Sequence, residues 1–153
     1  CYALKGNYTR YPAIKAAQYR RLEAMKSPLW VDAMITVIKR QKWFRWHDAG
    51  DVQDLQHLNN IFKICEATPD TKHWLPTREA WAMKYEDRAP DNLKIVFSIP
   101  MIDQEAAGKF RFTSTVVTSP SLATCPAPKQ DNSCRDCRKC WDKSVKNVAY
   151  LAH

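Results

Sequence analysis

Four of the six cysteines of this chain lie close together near its carboxyl end, in the stretch CPAPKQDNSCRDCRKCW. Cys134, Cys137 and Cys140 follow one another at C-x2-C-x2-C spacing, and Cys125 precedes them by a loop of eight residues. Two thiols at x2 spacing can both turn toward one centre, so this pattern is typical of thiolate metal ligation. Three chemistries use such clusters, namely disulfide bonds, a structural zinc site and an iron–sulfur cluster.

The spacing favours a [4Fe–4S] cluster over the other two chemistries. Structural zinc sites usually take two well-separated C-x2-C pairs, whereas overlapping x2 spacings are typical of cubane clusters. Disulfide scaffolds spread their cysteines along the chain, but four of these six lie within sixteen residues. We therefore predict zinc only as the alternative metal, and we predict these ligands: Cys125, Cys134, Cys137 and Cys140.

The residues around the cysteines suit a group that carries several thiolates. Cys125-Pro126 resembles the Cys-Pro element that keeps a cluster loop away from water, and Trp141 can shield the site from solvent. Basic side chains offset the excess negative charge of the thiolates; they are Lys129, Arg135, Arg138 and Lys139. Cys65 lies on an apolar helical face instead, so we expect a buried small hydrophobe there and no ligand.

Polar side chains also follow the predicted strands at their carboxyl ends. His47, Asp48 and Asp51 follow the aromatic stretch KWFRWH, and Arg78 follows KHWLPT. In α/β folds this edge of the sheet gathers the residues that do chemistry, so the four are candidate catalytic residues, with a histidine as base and an arginine as anion holder. Alternatively, the two aspartates cap and begin a helix near Val52, and Arg78 pairs with one of them.

Alternating helix and strand patterns place these residues. Apolar residues recur at helical spacing in residues 10–26, in a second helix that Ser27 caps and Pro28 opens, and in residues 52–68. Short apolar or aromatic runs predict strands at residues 42–47, 72–79, 92–100 and 109–118. The order predicts one α/β domain over residues 1–153, with a small, mostly parallel sheet of three to five strands and flanking helices, as an open sheet or partial barrel. Residues 119–145 form its cysteine-rich metal-binding segment.

The composition narrows the class of protein. Lys and Arg outnumber Asp and Glu by 24 to 16, which gives a net charge of +8 and favours an anionic partner such as nucleic acid. No apolar run approaches the roughly 20 residues of a membrane span, and the start does not read as a signal peptide, so we expect no membrane association. Clustered cysteines favour a reducing compartment. Because the chain begins on Cys1 without a methionine, we expect residues to precede it.

Four stretches of the chain together resemble the phage-encoded gene product eighty-eight family. They are CYALKGNY, RWHDAGD, WLPTRE, and CPAPKQDNSCRDCRKCW with the following VAYLAH. Each stretch alone is weakly specific, but the combination spans essentially the whole chain. It matches the family pattern at these positions: Cys1, Tyr2, Lys5, Gly6, Tyr8, Arg45, Gly50, Asp51, Thr77, Arg78 and the four clustered cysteines.

The resemblance implies a bacteriophage protein that acts in the host cytoplasm. It also makes Cys1 an alternative fourth ligand, although fixing a chain terminus costs more entropy than fixing the loop of Cys125. The family has a small polar residue where this chain has His47-Asp48-Ala49, so the resemblance assigns no role to His47. The elements are distantly similar to the partial barrels of radical enzymes, a likeness of fold alone.

Three functions are compatible with these patterns. The first, which we expect, is an iron–sulfur protein whose cluster has a redox, electron-transfer or structural role, with a host redox protein as partner. The second is a zinc-stabilised module that binds nucleic acid through the basic, aromatic segment from Tyr8 to Lys26. The third is an enzyme that uses His47, Asp48, Asp51 and Arg78, for which no motif names a substrate.

Overall fold

The computed structural model of the protein describes residues 7–106 and 108–152, along which helices and strands alternate. The α-helices are α1 (Asn7–Arg10), α2 (Pro12–Ala24), α3 (Trp30–Ile38) and α4 (Leu55–Glu66), with 3₁₀ helices at Ala82–Arg88 and Ala127–Lys129. The strands are β1 (Trp43–Arg45), β2 (Lys72–Thr77), β3 (Leu93–Ile102), β4 (Thr113–Val117) and β5 (Asn147–Leu151). Within the described residues, no helix is both long and apolar enough to cross a membrane.

The five strands form one open, curled sheet in which every strand lies beside its neighbours in the chain. The order is β1-β2-β3-β4-β5, and all four pairings are parallel. The pairing of β3 with β4 changes register from Ser98 to Ile102, so the sheet is irregular near the end of β3. The predicted α/β class, with a small parallel sheet and flanking helices, is confirmed.

One face of the sheet packs against the helices and forms the main core. Leu75 of β2 and Ile95 of β3 belong to the same buried cluster as Leu58 and Ile61 of α4. α4 presents a continuous apolar face because its apolar residues recur at spacings of three and four. Burying such side chains stabilises the fold by roughly 1.5–3 kcal/mol each.

The opposite face of the sheet carries the alternate residues of the same strands. Trp74, Val96 and Phe112 form a second buried cluster there, against which Cys140 and Trp141 pack. At this cluster the face is therefore covered by the long β4–β5 connection, which contains all four clustered cysteines. The predicted cysteine-rich segment is a layer of the fold.

Two predicted helix starts and one strand differ from the structure. The second helix begins at Trp30, and the Ser27 hydroxyl accepts from Leu29 N–H at 3.3 Å in the preceding turn, so the Ser27 cap was wrong. α4 begins at Leu55 because Asp54 caps it, accepting from a backbone N–H in the first turn. The interpretation of Asp48 and Asp51 as cap and first-turn residues was therefore wrong as well. β5 was not predicted, because its short apolar run follows a polar stretch.

The core contains a histidine that burial keeps neutral. His73 of β2 is 1% exposed and stacks on Trp46, with ring centroids 5.9 Å apart. The Thr68 hydroxyl donates to Ile64 O at 2.7 Å, so its oxygen accepts from His73 Nε2 at 2.9 Å, which places the ring proton on Nε2. Nδ1 is buried without a partner among the described residues. Protonating Nδ1 would bury a second N–H without an acceptor, and burial lowers the pKa of His73 from 6.5 to about 4.

This pKa predicts an acid-sensitive fold. A histidine whose pKa is lower in the folded state stabilises the protein fully above about pH 6.5 and loses that contribution as the pH falls through about 4. We expect His73→Phe, measured by urea unfolding between these pH values, to remove up to about 3 kcal/mol of the pH dependence. Phe44→Leu is the matched control, since it alters the same core without removing a titrating group. Equal slopes in both variants would contradict the assignment.

Candidate metal centre

The four predicted ligands line one small pocket. Cys125, Cys134, Cys137 and Cys140 share a space of about 280 Å³, a volume that includes its opening to solvent. The rest of the lining is mostly apolar and comprises Pro126, Ala127, Lys139, Trp141 and Val148. The sequence spacing and the fold therefore bring the same four thiols to one place.

Tight turns carry the three closely spaced cysteines. Cys137 N–H donates to Cys134 O at 2.8 Å, so the first x2 spacing is a single turn. Arg135, inside that turn, has a positive φ of 42°, and Asn132 before it has a φ of 57°. Few residues other than glycine adopt this left-handed region, so the local backbone is held by its surroundings.

Trp141 anchors this segment to the sheet. Its indole N–H donates to Phe44 O at 2.9 Å, across 97 residues of chain. Its ring packs edge-on against Trp74, with centroids 5.3 Å apart, and against Trp43, with centroids 5.8 Å apart. Such aromatic pairs stabilise a structure by roughly 0.5–1.5 kcal/mol beyond the area that they bury.

Lys94 of β3 binds the cysteine segment through hydrogen bonds. Although it lies in an apolar strand, Lys94 is 2% exposed, and its amino group donates to three backbone carbonyls. The acceptors are Lys139 O at 3.1 Å, Asp142 O at 2.7 Å and Val145 O at 2.9 Å. Burial lowers the pKa of Lys94 to about 8, while Cys140 and Asp142 act in the opposite direction. The amino group is therefore charged at pH 7 and replaces its lost water with three carbonyls.

Cys140 is half-buried and contacts β5 directly. Its Sγ lies 3.2 Å from the Tyr150 hydroxyl. Burial raises the pKa of the Cys140 thiol, and the nearby thiols of Cys125 and Cys134 raise it further, whereas the Tyr150 hydrogen bond and Lys94 lower it. Burial also raises the pKa of Tyr150, so its hydroxyl stays protonated and can donate to a thiolate.

The four cysteines suit a metal in residue type and line one pocket, but their side chains are not arranged around a common centre. Within residues 7–106 and 108–152, no three His, Cys, Asp or Glu side chains are grouped closely enough to hold a metal ion. The five described cysteines are free thiols. Metal binding at this pocket therefore requires the thiols to close in around the metal. Cys1, the alternative fourth ligand, lies outside the described residues.

Cys65 lies on the other face of the sheet from this pocket. It is fully buried in α4, within the main core, on the helix-covered face of the sheet. Burial raises the pKa of its thiol well above the ordinary range, so it stays protonated. The prediction that Cys65 is a buried small hydrophobe is confirmed.

Asp51, one of the candidate catalytic residues, holds two loops together. Its carboxylate accepts from Val52 N–H at 2.7 Å, from the Thr77 hydroxyl at 2.6 Å and from Arg78 N–H at 2.7 Å. The predicted pairing of Arg78 with an aspartate thus runs through the backbone, because the guanidinium points away and approaches Pro100 O at 3.5 Å. With three donors bound, the Asp51 carboxylate positions the ends of β1 and β2.

The other candidates at this rim point in different directions. His47 has a φ of 56°, and its ring packs against His57, with centroids 5.3 Å apart. Burial, and then the neighbouring His57, lower the pKa of His47 to about 4, so it is neutral at pH 7. Asp48 is exposed, contacts Tyr8 and lies 3.7 Å from the Arg45 guanidinium. Asp51 interacts electrostatically with His47, whereas the Arg78 guanidinium approaches Pro100 O.

Sequence reasoning missed the two residues that join the cysteine segment to the sheet. Lys94 was read as part of an apolar strand, and Tyr150 as part of the tail after the cysteines. A lone lysine in a strand that is otherwise apolar was the available signal, since a buried amino group needs acceptors. Tyr150 carried no comparable signal.

Replacing Lys94 should loosen the cysteine segment specifically. Lys94→Met keeps the apolar stem but leaves three carbonyls without their donor, at a cost of roughly 2–4 kcal/mol. We expect faster hydrogen exchange at the amides of residues 137–145, measured by mass spectrometry. Lys139→Met is the matched control, because it removes one exposed hydrogen bond, to Thr124 O at 2.9 Å. Similar exchange in both variants would show that Lys94 does not hold the segment.

Comparison with known proteins agrees with the pattern of short stretches found in the sequence. The family model described as Gene product 88, a phage protein family, matches residues 1–143, which include the rim and all four clustered cysteines. No curated protein and no solved structure matches the chain. Because the family model covers nearly the whole length, the chain belongs to the Gene product 88 family.

Proposed function

We propose that this protein binds an iron–sulfur cluster of the [4Fe–4S] type through Cys125, Cys134, Cys137 and Cys140. The observation that carries the proposal is that four thiols, spread over sixteen residues, line one pocket against the sheet. Four cysteines are the ordinary ligand set of this cluster, and overlapping x2 spacings are typical of it. When bound, the cluster would supply one-electron redox chemistry or a structural cross-link.

Positively charged side chains around the pocket support the binding of a negatively charged cluster. Lys94 interacts electrostatically with Cys140, and Lys139 lines the pocket. Arg138 lies in the turn between two of the cysteines and donates to Cys137 O at 2.7 Å. These cations offset the negative charge of four thiolates in a partly buried place.

The surroundings also contain groups that would set the potential of a redox-active cluster. Hydrogen bonds to cluster sulfurs and limited exposure to solvent both tune the reduction potential of such a cluster. Tyr150 offers one such hydrogen bond to Cys140, at 3.2 Å. Trp141 and Val148 supply apolar walls. A host redox protein is then the partner class that exchanges electrons with it.

Metal counting tests the proposal directly. Protein purified without oxygen should be brown, absorb broadly near about 400 nm and contain iron and acid-labile sulfide in equal amounts, as cluster proteins do. Single substitutions to serine at Cys125, Cys134, Cys137 or Cys140 should each lower iron several-fold. Cys65→Ala is the matched control, because that thiol lies in the main core. Circular dichroism should verify that each variant is folded.

Two results would redirect the proposal. Colourless protein that holds one zinc per chain at the same cysteines would replace the cluster with a structural zinc site. Iron retained in Cys125→Ser but lost in Cys1→Ser would move the fourth ligand to the start of the chain. Loss of iron in folded Cys65→Ala would contradict the pocket as the site.

We also propose a second candidate function, nucleic-acid binding through α2, which is supported by the exposure of this helix. This 13-residue helix has no buried residue. Tyr19 and Leu22 are 61% and 39% exposed, and they lie with Lys15 along one stripe, since their spacings of three and four residues repeat with the helix. Cations beside exposed aromatic rings suit phosphates and unstacked bases.

Binding through α2 should depend on salt and on this stripe. We expect a fluorescent oligonucleotide to bind in an anisotropy titration and to lose affinity at least about tenfold between roughly 50 and 200 mM salt. Lys15→Glu and Tyr19→Ala should each weaken binding several-fold without unfolding the protein, because both side chains are exposed. Lys84→Glu, an exposed lysine on the first 3₁₀ helix, is the charge-matched control. Equal losses in Lys84→Glu and Lys15→Glu would assign the binding to overall charge.

A further inference from the structure

A second cavity lies beside the cysteine pocket, at the amino ends of β1 and β2. Its cavity volume is about 370 Å³, within the range of roughly 300–1,000 Å³ of small-ligand sites. We name it the tryptophan cleft, after the two indole rings in its wall. The lining residues that matter here are Trp43, Lys72, Asp91, Arg138, Trp141 and Lys143.

The aromatic wall of the tryptophan cleft offers a place for a flat ring. Trp43 and Trp141 are half-buried and meet at 66°, with centroids 5.8 Å apart, so that they form a corner. The Arg138 guanidinium already lies 5.4 Å from the centroid of the Trp43 ring. Planar groups thus stack in this corner, and nucleobases stack on both indole and guanidinium planes.

The charged groups of the tryptophan cleft are suited to a ligand with two different ends. Lys72 and Lys143 are exposed and make no hydrogen bond or close ion pair with the described residues, although Asp91 attracts the Lys143 ammonium electrostatically. Asp91 and Asp142, both exposed, lie in the same lining. Cations bind a phosphate, whereas a carboxylate repels it and accepts hydrogen bonds from amino groups. A simple anion would leave Asp91 opposed, but a phosphate joined to a base with an amino group uses both kinds of side chain.

We propose that the tryptophan cleft binds a nucleotide unit, with its base stacked in the corner of Trp43 and Trp141. Its phosphate lies at Lys72 and Lys143, and Asp91 accepts from an amino group of the base. This unit has two sources, a free mononucleotide or one residue of a single strand. The site is distinct from the α2 stripe and does not rest on the proposed metal, although Trp141 borders both cavities.

Calorimetric titration with adenosine 5′-monophosphate, adenosine, inorganic phosphate and a twelve-nucleotide oligodeoxyadenylate tests the proposal. We expect the mononucleotide to bind with a Kd of about 1 mM or tighter, and adenosine or phosphate alone to bind at least tenfold more weakly. Oligonucleotide binding at least tenfold tighter than that of the mononucleotide would assign the site to single strands. Comparable affinities would assign it to free nucleotides.

Variants separate the tryptophan cleft from general charge. Lys72→Gln/Lys143→Gln should weaken mononucleotide binding at least tenfold, and Lys39→Gln/Lys84→Gln, which removes two exposed lysines outside this lining, should leave it unchanged. Trp43→Phe keeps a ring and should retain binding, with less quenching of indole fluorescence. Absence of any binding, or equal losses in both lysine pairs, overturns the proposal. Iron content, measured on the same samples, reports separately on the cysteine pocket.

Discussion

The docking of the cysteine segment onto the open face of the sheet is the interaction on which the candidate sites depend. Residues 119–145 contain one short 3₁₀ helix and build no core of their own. Trp141 fixes the segment by its ring contacts and by its hydrogen bond to Phe44 O, and Lys94 fixes it through three carbonyls. Without these long-range contacts, turns alone would have to hold four thiols together against their conformational entropy.

The elements that the sequence predicted correctly are those that are specified by their own residues. The helical pattern of α4 and the apolar run of β3 are local, and both elements were predicted. The start of α3 was placed too early, because serine followed by proline is a common helix start, whereas here the two residues form a turn. β5 is stable only because β4 pairs with it, a condition that its five residues do not reveal.

In the candidate metal centre, too, local features could be predicted and long-range contacts could not. That Cys134, Cys137 and Cys140 line the same pocket could be predicted, because x2 spacings keep successive cysteines within about one turn of each other. Their supports could not, because Lys94 lies 45–51 residues from the carbonyls that it binds. Reasoning from the carboxyl ends of the strands gave Asp51, whose three hydrogen bonds are structural. The tryptophan cleft lies at the amino ends of the strands, whereas the rule for α/β sheets predicts ligand sites at the carboxyl ends.

If both proposed groups bind, their charges would couple the cysteine pocket to the tryptophan cleft. Arg138 lines the cleft and donates to Cys137 O, and Trp141 borders both cavities. A cluster with four thiolates is negative, and a phosphate at Lys72 and Lys143 would add negative charge in the neighbouring cavity. With both proposed groups bound, the phosphate would disfavour adding an electron to the cluster, and by linkage the reduced cluster would bind the phosphate more weakly. The cations between the two sites, with Arg138 foremost, set how strong that coupling is.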